Sequence, residues 1–164
     1  MQLSRRKDSR REKLDLNSWL ENYLKIFTLE QTVTQDTISL LASNELLFAS
    51  IDPSHLKQIM DNLCQNALKY GKPEMGKLIV QTVMLKQTPC IDVIDNGSGI
   101  SRENLRHLFE PFFTTSASGT GLGLYISKEL AELNQAKLIY YVTADNKTCF
   151  RLCLLNADHT LIEI

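Results

Sequence analysis

The chain has 164 residues, 43% of them hydrophobic and 23% charged, which are ordinary values for a single soluble globular domain. Its formal net charge of −1 gives no general attraction to nucleic acid or to an anionic membrane surface. No stretch reaches the ~18 consecutive apolar residues of a membrane helix. The cysteines lie in apolar runs without metal-knuckle spacing, so we interpret them as buried small hydrophobic residues of a cytoplasmic chain; they are Cys64, Cys90, Cys149 and Cys153.

The first predicted elements are a basic segment, a short strand and a helix. Residues 1–13 carry more basic than acidic side chains, a pattern more typical of a solvated helix end or tail than of a membrane or nucleic-acid arm. Leucines at 14 and 16 alternate with polar residues and indicate a short edge strand. Asn17 or Ser18 is expected to cap a helix that reaches about Leu29.

Two β-rich runs follow, at 37–41 and 46–50. They flank Ser43, Asn44 and Glu45, which predict a hairpin-like turn between them.

The strongest helix signal comes next. Asp52 can cap its N-terminus, Pro53 suits its first position, and Gly71 marks its end at Tyr70. Its core-like face contains Leu56, Ile59, Met60, Leu63 and Ala67.

The other face of this helix contains two amides and a cation. At ~100° per residue, Asn62, Asn66 and Lys69 share this face. Tyr70 lies at its border, and its position is nearly as compatible with packing in the core as with lining a pocket. An amide oxygen suits Mg²⁺, which needs few protein ligands, and a lysine suits phosphate.

The remaining elements complete a mixed order of strands and helices. We expect strands at 78–85 and 91–94, a short helix at 103–108, a helix ending near Asn134, and a hairpin of strands at 137–142 and 149–155. This order predicts an α/β two-layer sandwich.

Two glycine-rich motifs are the most informative features of the sequence. Residues 95–100, Asp-Asn-Gly-Ser-Gly-Ile, follow an apolar run, and residues 119–124, Gly-Thr-Gly-Leu-Gly-Leu, begin an amphipathic helix. Asp95 alone could be a turn residue. In a partly apolar cleft, its carboxylate can accept a hydrogen bond from an exocyclic amine such as that of adenine, while bare amides at a helix start suit phosphates. Together the motifs predict a site for a purine nucleotide.

In their order and spacing, these motifs resemble those of the ATP-binding catalytic domain of sensor histidine kinases, within the superfamily that includes gyrase, Hsp90 and MutL. Residues 62–70 resemble the N box, 95–100 the G1 box, 109–113 the F box and 119–124 the G2 box. The run from Glu110 to the G2 helix is similar to kinases that control pilin transcription and nitrogen regulation.

This resemblance implies a Bergerat-type fold, with a mixed sheet of about five main strands packed against three helices. Residues 1–13 would be the end of a dimerisation and phosphoacceptor helix or a linker, and residues 14–164 the catalytic domain. A mobile lid would lie within residues 97–120, with its small, polar centre at 114–119.

The resemblance also implies an activity, cofactors and partners. The domain would bind ATP and Mg²⁺ and phosphorylate a histidine on its own dimerisation domain, for relay to a response regulator. No nucleic acid or direct membrane contact is expected for this chain, and an inner-membrane location stays open for the full-length parent.

Site roles are implied residue by residue. Asn62 and Lys69 would be catalytic and Asn66 would bind Mg²⁺. Residues that would bind the nucleotide and its metal are Asn66, Lys69, Tyr70, Asp95, Gly97, Gly99, Ile100, Thr120, Gly121, Leu122, Gly123 and Leu124. ATP-hydrolysing members carry a glutamate where Asn62 stands, and an amide cannot take a proton from water.

Some features favour other interpretations. No basic residue lies between Arg106 and Lys128, and Ser116 stands where lid lysines are common, so a degenerate nucleotide-binding interaction module is one alternative. An anti-sigma-factor-type serine kinase is a second alternative, although the presence of Asn62 makes it less favoured.

The histidines and phenylalanines are weaker candidates for site roles. Neither His55, His107 nor His159 has the sequence context of a phosphoacceptor, although His107 lies near the lid. Phe109, Phe112 and Phe113 are expected to pack at the base of the lid.

Overall fold

The structure, a computed structural model, describes residues 9–34, 36–115 and 119–158. Its elements are β1 (Glu12–Asp15), α1 (Leu16–Glu30), β2 (Ile38–Leu41), β3 (Phe48–Ile51), α2 (Pro53–Tyr70), β4 (Leu78–Leu85), β5 (Thr88–Asp95), α3 (Arg102–Leu105), α4 (Gly123–Leu133), β6 (Lys137–Val142), β7 (Thr148–Cys153) and β8 (Leu155–Asn156). A 3₁₀ turn at Pro73–Met75 links α2 to β4.

The main sheet has five strands in the order β2-β4-β5-β7-β6. Only β2 is parallel to its neighbour; the other pairs are antiparallel. Alternate strand residues such as Val80 and Val93 share one buried cluster with Leu20 of α1, Ile59 of α2 and Leu130 of α4. The predicted two-layer sandwich of five main strands and three helices is therefore confirmed.

A second, three-stranded sheet in the order β1-β3-β8 extends this architecture. The expected hairpin between 37–41 and 46–50 is wrong, because β2 pairs with β4 in the main sheet whereas β3 pairs with β1. The segment between them crosses from one sheet to the other. Asn17 holds it by donating its side-chain N–H to the carbonyls of Ser43 and Glu45.

Helix α1 starts earlier than expected. Asp15 is its N-cap and accepts a hydrogen bond from Ser18 N, so neither Asn17 nor Ser18 caps it. Glu12 and Lys13 already belong to β1, while residues 1–8 lie outside the described residues. The interpretation of residues 1–13 as a helix end or linker stays a prediction.

Helix α2 has the predicted bounds. Asp52 accepts a hydrogen bond from Ser54 N at 2.9 Å, and the helix ends at Tyr70. Gly71 has φ −85°, so it does not serve as a left-handed cap. A Cβ there would lie 2.3 Å from Ala67 O and 2.5 Å from Asp95 Cβ, so glycine lets the end of α2 contact the end of β5.

Strand β5 begins at Thr88, earlier than the expected Ile91, because only two residues form the turn from β4. Lys86 and Gln87 both have positive φ, 46° and 70°. Such a turn matches the twist of an antiparallel pair.

A buried ion pair lies on the sheet face opposite the helices. Ile91 and Val93 face the helical core, so Asp92 between them points the other way. Its fully buried carboxylate accepts hydrogen bonds from Arg151 Nε at 2.7 Å, Arg151 Nη2 at 2.9 Å and Gln81 Nε2 at 2.8 Å. Three donors thus compensate its loss of water.

Among the described residues, no helix combines the length and apolar character needed to cross a membrane.

Candidate functional site

A cavity of about 520 Å³ lies between α2, the end of β5 and the segment that leads through α3 to α4. It brings together all the sequence-predicted site residues except Leu122. Those that line it are Asn62, Asn66, Lys69, Tyr70, Asp95, Gly97, Gly99, Ile100, Thr120, Gly121, Gly123 and Leu124. Leu122 instead precedes α4 as its N-cap.

Asp95 lines the cavity, and its carboxylate has one oxygen that accepts hydrogen bonds and one without a hydrogen-bond partner among the described residues. Oδ1 accepts hydrogen bonds from Gly97 N at 2.8 Å and from the Thr148 hydroxyl. Thr148 is the cross-strand partner of Asp95 on β7. Because both donors use the same oxygen, Oδ2 is available to accept from a bound ligand.

Apolar and aromatic side chains form the wall beside Asp95. They are Ile100, Leu108, Leu124, Tyr140 and Phe150. The rings of Tyr140 and Phe150 lie 5.2 Å apart between centroids, and the Tyr140 hydroxyl accepts a hydrogen bond from Ile100 N at 3.1 Å. Burial raises the pKa of Tyr140, so it stays a neutral phenol. A flat heteroaromatic ring suits this wall.

Helix α2 supplies the opposite wall. Asn62 Nδ2 donates to Gly123 O at 3.1 Å and to Ser127 Oγ at 3.0 Å, which ties α2 to the first turn of α4. Asn66 is half-buried one turn further along. Lys69 Nζ lies 5.3 Å from the ring centroid of Tyr70, and is the one basic side chain among the described lining residues. Tyr70 itself is 45% exposed, so it lines the cavity rather than packing in the core.

The start of α4 approaches the phenylalanine segment very closely. Gly121 has φ +72°, and a Cβ there would lie 2.3 Å from the Phe112 carbonyl carbon, so only glycine fits. Phe113 lines the cavity, whereas Phe109 packs against the core beneath Lys128 Nζ, 5.4 Å from its ring centroid. Phe112 is 74% exposed, so its expected packing role is wrong.

The described histidines lie outside the cavity lining. His55 lies in the first turn of α2, and its Nδ1 is 3.0 Å from Asn134 Nδ2. His107 Nδ1 is 3.0 Å from Glu110 Oε2. His159 and Ser116 lie outside the described residues.

Sequence reasoning missed several lining residues that come from other strands and loops. Thr148, Tyr140 and Phe150 reach the cavity only through strand pairing, which the sequence does not reveal directly. Gln65 was detectable, because it lies on α2 near Asn62 and Asn66.

Comparison with known proteins agrees with this arrangement. The family model described as "Histidine kinase-, DNA gyrase B-, and HSP90-like ATPase" matches residues 51–158. Sensor protein kinase PilS of Pseudomonas aeruginosa is 36% identical over 156 residues, covering 93% of this chain and 29% of the relative. The signal transduction histidine-protein kinase AtoS of Escherichia coli is 34% identical over 140 residues, covering 84% and 23%. The chain thus spans under a third of the length of these curated relatives.

Solved structures share the fold. The catalytic domain of histidine kinase ThkA matches with a TM-score of 0.74 at 25% identity, over 90% of this chain and 96% of that one. Full-length ShkA in complex with AMPPNP matches in fold with a TM-score of 0.76 at 21% identity, over 93% of this chain and 32% of that one. The chain therefore belongs to the family of histidine kinase-, DNA gyrase B- and HSP90-like ATPases, as an ATP-binding catalytic domain of the histidine kinase type.

Proposed function

We propose that this domain binds ATP with Mg²⁺ and transfers the γ-phosphoryl group to a histidine on a separate dimerisation domain, from which a response regulator receives it. The observation that carries the proposal is the convergence of the predicted residues on one cavity of about 520 Å³. This volume lies within the ~300–1,000 Å³ of small-molecule sites.

The two ends of the cavity differ in chemistry, which supports one orientation of the nucleotide. Asp95 Oδ2 would accept from the adenine amine beside the apolar wall. At the other end, Leu122 contributes no side-chain cap to α4, so the first amides of that helix keep their donors for phosphate.

The residues present also fit a magnesium ion. Mg²⁺ prefers oxygen ligands and keeps most of its waters, so the Asn66 amide oxygen and the phosphates of ATP form an adequate donor set. When bound, the ion neutralises charge on the terminal phosphates. Lys69 would add a second positive charge on the same wall.

The surroundings of Asn62 favour phosphoryl transfer over hydrolysis. Its amide donates to Gly123 and Ser127 and offers no base for a water molecule. Neither of the two described histidines, His55 and His107, lines the cavity, which supports an accepting imidazole on another domain. Its lone pair would attack the γ-phosphorus in line, while the bond to the β-bridging oxygen breaks and ADP leaves.

The test is phosphoryl transfer in trans. The purified domain is mixed with γ-labelled ATP, Mg²⁺ and a dimerisation domain from a relative of this family, and acid-labile label on the partner is measured. We expect slow labelling, because separating the domains removes the effective concentration of a tether. Without the partner we expect no label on the chain.

A matched control variant distinguishes loss of the Asn66 side chain at the site from a general disturbance of helix α2. Asn66→Ala should abolish most transfer, whereas Gln58→Ala removes an exposed amide from the same helix and should leave the rate unchanged. If ATP binds but the partner stays unlabelled at every concentration, the domain is a nucleotide-binding interaction module and the proposed transfer is wrong.

A further inference from the structure

Two cysteines lie directly opposite each other in the main sheet. Cys90 of β5 pairs with Cys153 of β7, and both thiols are free. Leu154 N donates to Pro89 O at 2.9 Å, which makes Cys90 and Cys153 a non-hydrogen-bonded pair. In such pairs the Cα atoms are about 4.5 Å apart and the side chains are close. Disulfides span Cα separations of about 4.4–6.8 Å, so this pair can close one.

The two thiols differ in their access to solvent. Cys90 is fully buried, and this burial raises the pKa of its thiol to about 12. Cys153 is half-buried and lines a second cleft, of about 370 Å³, on the protein surface. A reagent from solvent can therefore reach Cys153 but not Cys90, and Cys90 can react only with a group already attached to its neighbour.

The cleft beside Cys153 is positively charged. Lys137 is the cross-strand partner of Cys153 on β6, and Lys86 lies in the turn between β4 and β5. The other described lining residues are uncharged; they are Gln87, Thr88, Gln135, Ala136, Leu154, Leu155 and Asn156. Two lysines lining the cleft that exposes this thiol favour a negatively charged reagent.

We propose that Cys153 and Cys90 form a dithiol modification site that reacts with a small anionic disulfide entering through this cleft. The Cys153 thiolate attacks one sulfur of the reagent, a mixed disulfide forms, and one reagent thiolate leaves. Cys90 then loses its proton and attacks Cys153 Sγ, which forms the Cys90–Cys153 disulfide and expels the second reagent thiolate. The chain loses two electrons and two protons, and the reagent is reduced to two thiols.

Closure would join β5 and β7, which contribute Asp95 on one strand and Thr148 and Phe150 on the other to the nucleotide cavity. The loop from 90 to 153 contains Asp95, both glycine motifs and α4. A crosslink over a loop of this length restricts the unfolded chain strongly. We therefore expect the oxidised domain to melt about 10 °C higher than the reduced one.

The experiment incubates the reduced, full chain with oxidised glutathione, which is anionic, or with cystamine, which is cationic. Intact-mass measurement should show loss of two hydrogens, and peptide mapping should identify Cys90 joined to Cys153. Cys90→Ser should stop at a glutathione adduct on Cys153, Cys153→Ser should not react, and Cys149→Ser, a control in β7, should still close the disulfide.

The charge of the cleft is tested separately with a surface variant that leaves both thiols in place. Lys86→Gln with Lys137→Gln should slow the reaction with glutathione about threefold to tenfold at low salt, without slowing that with cystamine. The proposal is overturned if the disulfide involves Cys64 or Cys149. It is also overturned if the lysine variant slows the reaction with cystamine as much as the reaction with glutathione, or if native reduced protein gains no disulfide.

Discussion

Replacing Asp95 by asparagine should weaken ATP binding by an amount that follows from its hydrogen bonds. Gly97 N and the Thr148 hydroxyl both donate to Oδ1. To keep these two bonds, the asparagine must present its amide oxygen to them and its NH₂ group to the cavity. That group is a donor, and so is the adenine amine that it would meet.

The expected loss is that of a charge-assisted hydrogen bond in a cleft, about 1.5–3 kcal/mol. This corresponds to a rise in Kd of roughly 10- to 150-fold. Inosine triphosphate carries a carbonyl acceptor in place of the amine, so the same variant should bind it as well as, or better than, the wild-type domain does. The ratio of the two affinities is therefore more informative than either affinity alone.

Isothermal titration calorimetry with both nucleotides measures this ratio. Asp145→Asn is a suitable control, because Asp145 lies in the exposed turn between β6 and β7, away from the cavity, and accepts a hydrogen bond from the Thr143 hydroxyl. If Asp95→Asn binds ATP as tightly as the wild type, or loses both nucleotides equally, Asp95 does not accept from the purine amine.

Variants at three further places test the metal site, the ion pair and the cap of α2. Asn66→Ala should reduce phosphoryl transfer and its Mg²⁺ response more than ADP binding; unchanged transfer in a Mg²⁺ titration would contradict the assignment. Arg151→Met removes the cation and leaves the buried Asp92 carboxylate only the Gln81 amide as a donor among the described side chains, so denaturant unfolding should show a loss of about 3–5 kcal/mol, whereas adding Asp92→Leu should restore most of it. Burial raises the pKa of Asp52, but hydrogen bonds from Arg10 N and Ser54 outweigh it and leave the pKa below its usual value. Its stabilising effect is therefore present above the unfolded pKa of ~4 and is lost as the pH falls through the lower folded pKa, so Asp52→Asn should cost about 1 kcal/mol at pH 7 and progressively less as the pH falls through this range; an equal cost throughout would refute this.

Local chemistry explains why parts of the fold were predictable. Asp52, Pro53 and the apolar spacing of α2 are signals within one helix, so its bounds were predicted correctly. The two glycine motifs were predictable for a similar local reason. At Gly121, for example, a Cβ would collide with the backbone of Phe112, so the position requires glycine.

Strand pairing was less predictable, because partners are set by the whole core. The runs around β2 and β3 are close in sequence, yet each pairs with a strand of a different sheet. Thr148 and Tyr140 reach the site for the same reason, through register with β5 and β7. The buried ion pair of Asp92 could have been predicted from the apolar residues on either side of it, because a single carboxylate in a buried apolar run needs a partner.

The close contact between Gly71 and Asp95 has a mechanical consequence. Asn96 N also donates to Gly71 O at 2.9 Å, so the end of α2 and the end of β5 are fastened together by backbone atoms. We therefore expect Asp95 and the end of α2 to move together, so that exchange of the proposed nucleotide would displace mainly the segment after residue 97. Amide hydrogen exchange should therefore be slow at Gly71 and Asn96 both with and without nucleotide, while residues 111–115 change their exchange rate on binding.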